Sequence, residues 1–174
     1  MQKRGKKMKT TRKLTHLSMF VVLEIVFTLF IGVTTPINRI SLTFVVMAVA
    51  GMMYGPVFGM LAALSADLIR ATLWPVGPYF WGFSFTAASV GMLYGLLYKK
   101  DEKELLKWIV FIAIFKAVFL HLAMNTYWIS IVSKVPFKVL LKPRIIKELF
   151  LVPIEIGINA YLLPRIYRQM KGMY

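Results

Sequence analysis

The sequence predicts an all-α integral membrane protein with six transmembrane helices and both termini cytoplasmic. Three observations carry that expectation. The 174 residues are 59% apolar and only 17% charged, against roughly 45–50% and about 25% in soluble domains. Apolar runs close to the ~20 residues of a membrane span recur along the chain. Finally, 22 Lys+Arg stand against 7 Asp+Glu, a net charge of +15. A chain this short cannot hide so much apolar surface in one aqueous core. The basic excess is therefore expected against anionic headgroups, with no nucleic-acid partner. The absence of cysteine excludes disulfides, thiolate metal sites and a cysteine nucleophile.

Residues 1–13 form a basic tail with seven Lys/Arg and no acid, too charged to insert. Residues 14–174 are expected to form one six-helix domain. Leu17–Val33 is the first apolar run, interrupted only by Glu24. It lacks a small-residue cleavage site, which favours a retained helix over a signal peptide. Thr34–Ser41, with Pro36, Asn38 and Arg39, reads as a loop. Leu42–Ala71 is a long stretch broken at Gly55-Pro56. The positive-inside rule decides that it is two spans. Only an even number of crossings before Lys99 puts the Lys99–Lys107 cluster on the same side as the basic tail and Arg165, Arg168 and Lys171. Each half is then short, so the helices are expected to extend to about Asn38 and Leu73. Thr72–Tyr79 is a Pro/Gly loop. Phe80–Tyr98 is the fourth span, Lys99–Lys107 a connector, Trp108–Ile131 the fifth span, Val132–Pro143 a loop and Arg144–Arg165 the sixth span. Gly51, Gly59, Ala62, Ala63, Ala66, Gly91 and Gly95 permit close helix approach.

Polar groups inside a membrane are expensive and point to function. By depth, Asp67, Arg70, Asn125, Trp128, Arg144, Lys147 and Glu148 fall toward the outer side. Trp74, Tyr79, Phe80, Trp81, Tyr127 and Trp128 crowd the same level. Those aromatics make either an interfacial belt or the walls of a pocket for a planar ring. Asp67 and Arg70 are three apart and share a helix face. They form either an internal ion pair or a carboxylate that accepts hydrogen bonds from a ligand's N–H groups. Lys134, Lys138, Lys142 and Arg144 place positive charge on the predicted outside, where the orientation rule does not call for it. Three readings stand: the loop lies on the other side of the membrane, the charges contact anionic lipid, or they attract an anionic ligand to a mouth flanked by Arg39 and Arg144. His121 lies inside the fifth span with no sequence-near metal partner; it is a hydrogen-bonded interhelical residue or part of the site. Lys116 and Glu24 are both deep, and a pair between them is possible. No P-loop, dinucleotide fingerprint or zinc spacing occurs; neither a metal nor a cofactor is expected.

These motifs carry a resemblance. The stretch DLIRATLWPVGPYFWGFSFTAASVGMLYGLLY (Asp67–Tyr98) and the pair HLAMNTYWISIV and RIIKELFLVPIEIGINAYLLP resemble the S-components of energy-coupling factor (ECF) vitamin transporters, most closely the folate-specific kind. GPYFWGF (Gly77–Phe83) and NTYW (Asn125–Trp128) are its most specific parts. The resemblance implies a six-helix, multi-pass cell-membrane protein that is not an enzyme. It implies capture of a vitamin under the loops Thr34–Ser41 and Thr72–Tyr79. It also implies partnership with a transmembrane coupling protein and two ATPase subunits. The family's Ala-x-x-x-Ala docking patch on the first helix is replaced here by Ser18 and Val22.

The residues themselves point to a planar, anionic ligand. Folate, with its pterin ring and two carboxylates, fits Arg39, Asp67, Arg70, Trp74, Tyr79, Phe80, His121, Asn125, Trp128, Lys138 and Arg144 as ligand-binding candidates. A flavin phosphate fits the same description. Two other classes stay open at this level: an intramembrane lipid-modifying enzyme using Glu24, His121 and Glu155, and a structural subunit without a ligand.

Overall fold

Helices occupy most of residues 10–34, 39–75 and 77–172, which are the residues that the computed structural model describes. They run as α1 Thr10–Phe30, α2 Thr43–Tyr54, α3 Pro56–Leu73, α4 Trp81–Leu97, α5 Glu102–Ser133 and α6 Phe137–Gly172. A two-residue antiparallel ribbon, Val33–Thr34 with Arg39–Ile40, joins α1 to α2. Most of the basic tail and the loop residues Pro36 and Asn38 lie outside the described residues, as does the side chain of Arg39.

The Gly55-Pro56 break divides α2 from α3 as the charge argument required. Gly55 has φ +88° and ψ −177°, a combination essentially reserved for glycine. Pro56 then starts α3, where its missing N–H costs no helical bond. Among the described residues, four helical stretches are long and apolar enough to cross a membrane: Lys13–Phe30, Pro56–Leu73, Glu102–Ser133 and Phe137–Gln169. Thr43–Tyr54 and Trp81–Leu97 are shorter.

Three boundaries differ from the sequence expectation. The second helix begins at Thr43 rather than near Asn38, because Arg39–Ile40 is extended in the ribbon and Leu42 forms the entry turn. The connector Lys99–Lys107 is helical from Glu102. Its Glu102 and Glu104 sit in the first turn, where acids complement the helix dipole. The loop expected over Val132–Pro143 shrinks to residues 134–136. Lys134 closes α5 with φ 56°, and α6 continues for 36 residues through Pro143, Pro153 and Pro164. Each proline deletes one backbone bond. Such losses are tolerated in membrane helices when neighbours or water satisfy the freed carbonyl.

Small residues set the helix spacing. Gly59 of α3 and Gly91 of α4 meet so closely that a Cβ on either would collide with the other's backbone carbonyl. Ala63 continues that seam, while Ala62 and Ala66 pack against Val21 of α1, and all three are buried. The main core gathers Phe44, Met47, Met52, Tyr94, Leu97, Leu105, Ile109, Ile112 and Leu163 around α2, α4, α5 and α6. Phe30, Leu149 and Phe150 are among many large apolar side chains that point outward. Lipid, rather than water, suits such a surface.

Candidate functional site

A cavity of about 450 Å³ lies among the helices. It opens at the end of the bundle that carries the ribbon and the α3–α4 and α5–α6 connections, with Ser41, Pro75, Gly77, Pro78 and Ser133 on its rim. Phe44 and Met47 of α2 and Phe83, Ala87 and Val90 of α4 give it an apolar lining. Polar groups enter from two sides.

From α3 and α4 comes a chain of hydrogen bonds ending on Asp67. The Arg70 Nη2 donates to Asp67 Oδ1 at 2.9 Å. Ser84 Oγ donates to Asp67 Oδ2 at 2.7 Å, and the Tyr79 hydroxyl lies 2.7 Å from Ser84 Oγ. Three-residue spacing on one helix makes the ion pair; the close α3–α4 seam delivers the serine. Asp67 is thus an internal ion-pair partner. Its oxygens keep further acceptor capacity, since each carboxylate oxygen accepts more than one bond. Arg70 Nε is buried without a hydrogen-bond partner in the described structure, leaving a donor at the cavity wall.

From α5 and α6 comes a basic cluster. Lys116–Asn125 is π-helical, and a π turn takes about 4.4 residues. Lys116, His121 and Asn125 all line the cavity. In an α-helix, His121 and Asn125 would stand about 140° and 180° around the axis from Lys116. With π spacing they stand within about 50° and 20° of it. The unusual winding therefore gathers three polar side chains on the cavity face. Asn125 Oδ1 is buried and has no hydrogen-bond partner among the described residues, so it can accept from a ligand. His121 Nδ1 lies 2.9 Å from Glu148 Oε1, and Lys147 Nζ lies 2.8 Å from the same oxygen. Arg144, 4% exposed, also lines the cavity. Its Nη1 donates to the His121 carbonyl at 3.1 Å and to Thr126 Oγ1 at 2.9 Å.

Deeper, Lys116 pairs with Glu155, and Tyr94 donates to the same carboxylate. All three are almost wholly buried, and Asn159 beside them is too. The partner of Lys116 is thus Glu155 rather than Glu24, although Glu24 does line the cavity. Burial demands such pairing, because an unpartnered ammonium in an apolar interior is costly.

The cavity thus brings together Asp67, Arg70, Tyr79, His121, Asn125 and Arg144 from the sequence candidates. It leaves others aside. Trp74 stands exposed at the end of α3. Phe80 and Trp128 pack on each other at 5.4 Å between ring centres, over Gly82, with Trp128 Nε1 donating to Thr86. Those two rings are used up in joining α4 to α5. Lys138 is exposed in the first turn of α6, away from the cavity lining. The aromatic rings that do face the cavity are Phe44, Tyr79 and Phe83. Ser84, Thr86 and Thr126 were missed by the sequence reading. Their signal was available: hydroxyls at 1%, 4% and 0% exposure interrupt apolar runs, and buried polar groups demand partners. Of the residues of the enzyme alternative, Glu24 and His121 line the cavity, while Glu155 lies below it in its pair with Lys116.

Comparison with known proteins agrees with this architecture. Residues 12–167 match the family described as ECF transporter, substrate-specific component. The folate transporter FolT of Clostridium novyi is 32% identical over 148 residues, covering 85% of this chain and 86% of that protein. FolT of Leuconostoc mesenteroides subsp. mesenteroides is 32% identical over 159 residues, covering 88% and 85%. A crystal structure of FolT bound with folic acid superposes with a TM-score of 0.81 at 25% identity, covering 88% of this chain and 92% of that one. The matched region spans both motif stretches and all six helices. The chain belongs to the family of ECF transporter substrate-specific components, which are membrane transport subunits rather than enzymes.

Proposed function

We propose that this chain captures folate in the cavity described above and delivers it for ATP-driven uptake. The observation that carries the proposal is the cavity's composition. One open-mouthed cavity, within the 300–1,000 Å³ usual for small-molecule sites, holds an acceptor set (Asp67, Asn125), a basic set (Arg144, Lys147, His121) and three aromatic rings. The FolT relatives support it. The pterin ring carries adjacent N–H donors, which suit Asp67 and the unpartnered Asn125 Oδ1. Phe44 and Phe83 supply flat apolar contact. The glutamate carboxylates suit Arg144, whose planar fork matches a carboxylate, with Lys147 nearby. Lys138, and Arg39 on the ribbon, contribute attraction toward the mouth.

In this reading the protein is multi-pass in the cell membrane. The cavity mouth faces outward and the basic tail and C-terminus lie in the cytoplasm, as the lysine and arginine distribution requires. Its partners are a transmembrane coupling protein and two ATPase subunits, and its apolar exterior meets lipid. Titration of the purified protein with folate, followed by tryptophan fluorescence, tests the ligand. Quenching that saturates at micromolar folate or below is expected. No response to folate together with tight binding of a flavin phosphate would overturn the assignment.

A further inference from the structure

The π-helical stretch of α5 ends in a closed arrangement of three groups. Thr126 Oγ1 donates to the His121 carbonyl, five residues back, at 3.1 Å. Arg144 Nη1 donates to that same carbonyl at 3.1 Å and to Thr126 Oγ1 at 2.9 Å. The His121 carbonyl thus takes two side-chain donors, one from five residues ahead and one from α6. The hydroxyl donates once and accepts once, so its hydrogen-bonding capacity is directed on both sides. Thr126 is 0% exposed and is not part of the cavity lining. It touches both a cavity cation and the backbone that bears His121.

We propose that Thr126 is a positioning residue for ligand recognition: its hydroxyl holds the Arg144 guanidinium and the end of the π turn in the orientation that meets the ligand's carboxylates. The proposal rests on the folate reading above. Three features converge on it. The winding is what turns His121 and Asn125 toward the cavity, so whatever secures its end secures that face. Arg144 enters from another helix, 18 residues along the chain, and a long side chain must lose its rotamer freedom before it binds well. A buried hydroxyl that bridges the two restricts both at once.

The test compares Thr126→Val, which keeps the shape and removes the hydroxyl, with Thr126→Ser, which restores it. Folate affinity is measured for both, alone and in an Arg144→Ala background. Thr126→Val is expected to weaken folate about tenfold, the size of a lost buried hydrogen bond to a charged group, and Thr126→Ser to stay within about twofold of the original. In the Arg144→Ala background the valine should cost little more, since coupled residues are non-additive. Equal affinity of the valine variant and the unsubstituted protein overturns the positioning role alone. So does an equal loss with and without Arg144, which marks a purely structural effect. Failure of the unsubstituted protein to bind folate overturns the ligand reading, and this proposal with it. Thermal unfolding verifies that the valine variant is folded; if it is not, Thr126→Ala carries the same comparison.

Discussion

Two ion pairs border the same cavity and were made in different ways. Asp67 and Arg70 lie three residues apart on α3, join at 2.9 Å, and keep side-chain exposures of 9% and 12%. Lys116 and Glu155 lie on α5 and α6, 39 residues apart, with exposures of 3% and 1%. The first pair forms wherever α3 is helical. The second exists only when α4, α5 and α6 pack and bring Tyr94 to the same carboxylate. The local pair has spare donor capacity at Arg70 Nε and stands at the cavity wall. The distant pair is enclosed with Tyr94 and Asn159. One is suited to meeting a ligand, the other to holding the bundle that shapes the pocket.

Substitutions can break that contrast. The largest effect is expected from Glu155→Leu, which strands the buried Lys116 ammonium. Removing one partner of a buried pair costs about 3–5 kcal/mol, so thermal unfolding in detergent should occur at a clearly lower temperature. Unchanged unfolding would show that the pair does not hold the bundle. Arg144→Ala comes next. Folate should bind more weakly by about 1.5–3 kcal/mol, the range for a hydrogen bond to a charged group, and a tail-less pterin should lose much less. Equal losses for both ligands would assign Arg144 elsewhere. Asp67→Asn should cost about 1–2 kcal/mol in affinity, this time for folate and pterin alike, with thermal stability less affected than in the Glu155 variant. Unchanged pterin affinity would leave Asp67 a purely structural partner of Arg70 and Ser84. The smallest effect is expected at Trp74. Its ring is exposed outside the cavity, so Trp74→Ala should change folate affinity by no more than about 0.5 kcal/mol. A tenfold loss in the same titration would place the ring in the bound complex.

How legible each region was follows from the same contrast. The break at Gly55-Pro56 was readable because charge placement demanded an even number of crossings and the dipeptide pairs a residue free to take positive φ with one suited to starting a helix. The aromatic cluster was readable in position but not in role. Phe80 and Trp128 sit at the expected level, yet they face each other across α4 and α5, while Phe44 and Phe83 line the cavity. Which side of a helix a ring takes depends on the neighbouring helix. The Val132–Pro143 segment was misjudged because its prolines suggested a loop. Pro136 instead precedes α6 and Pro143 lies within it, where the loss of a single backbone bond is borne by a long helix.

Composition, charge placement and local spacing were enough for the membrane class, the helix number and order, the shared helix face of Asp67 and Arg70 and the resemblance that the family match upholds. These depend on properties that a residue carries by itself or shares with neighbours three or four positions away. Packing alone decided the partner of Lys116, the clamp of Thr126 and Arg144 on the His121 carbonyl, and the π winding that turns Lys116, His121 and Asn125 to one face. The side chains that meet this stretch come from residues far along the chain, Arg144 on the His121 carbonyl among them, and local spacing does not reveal them.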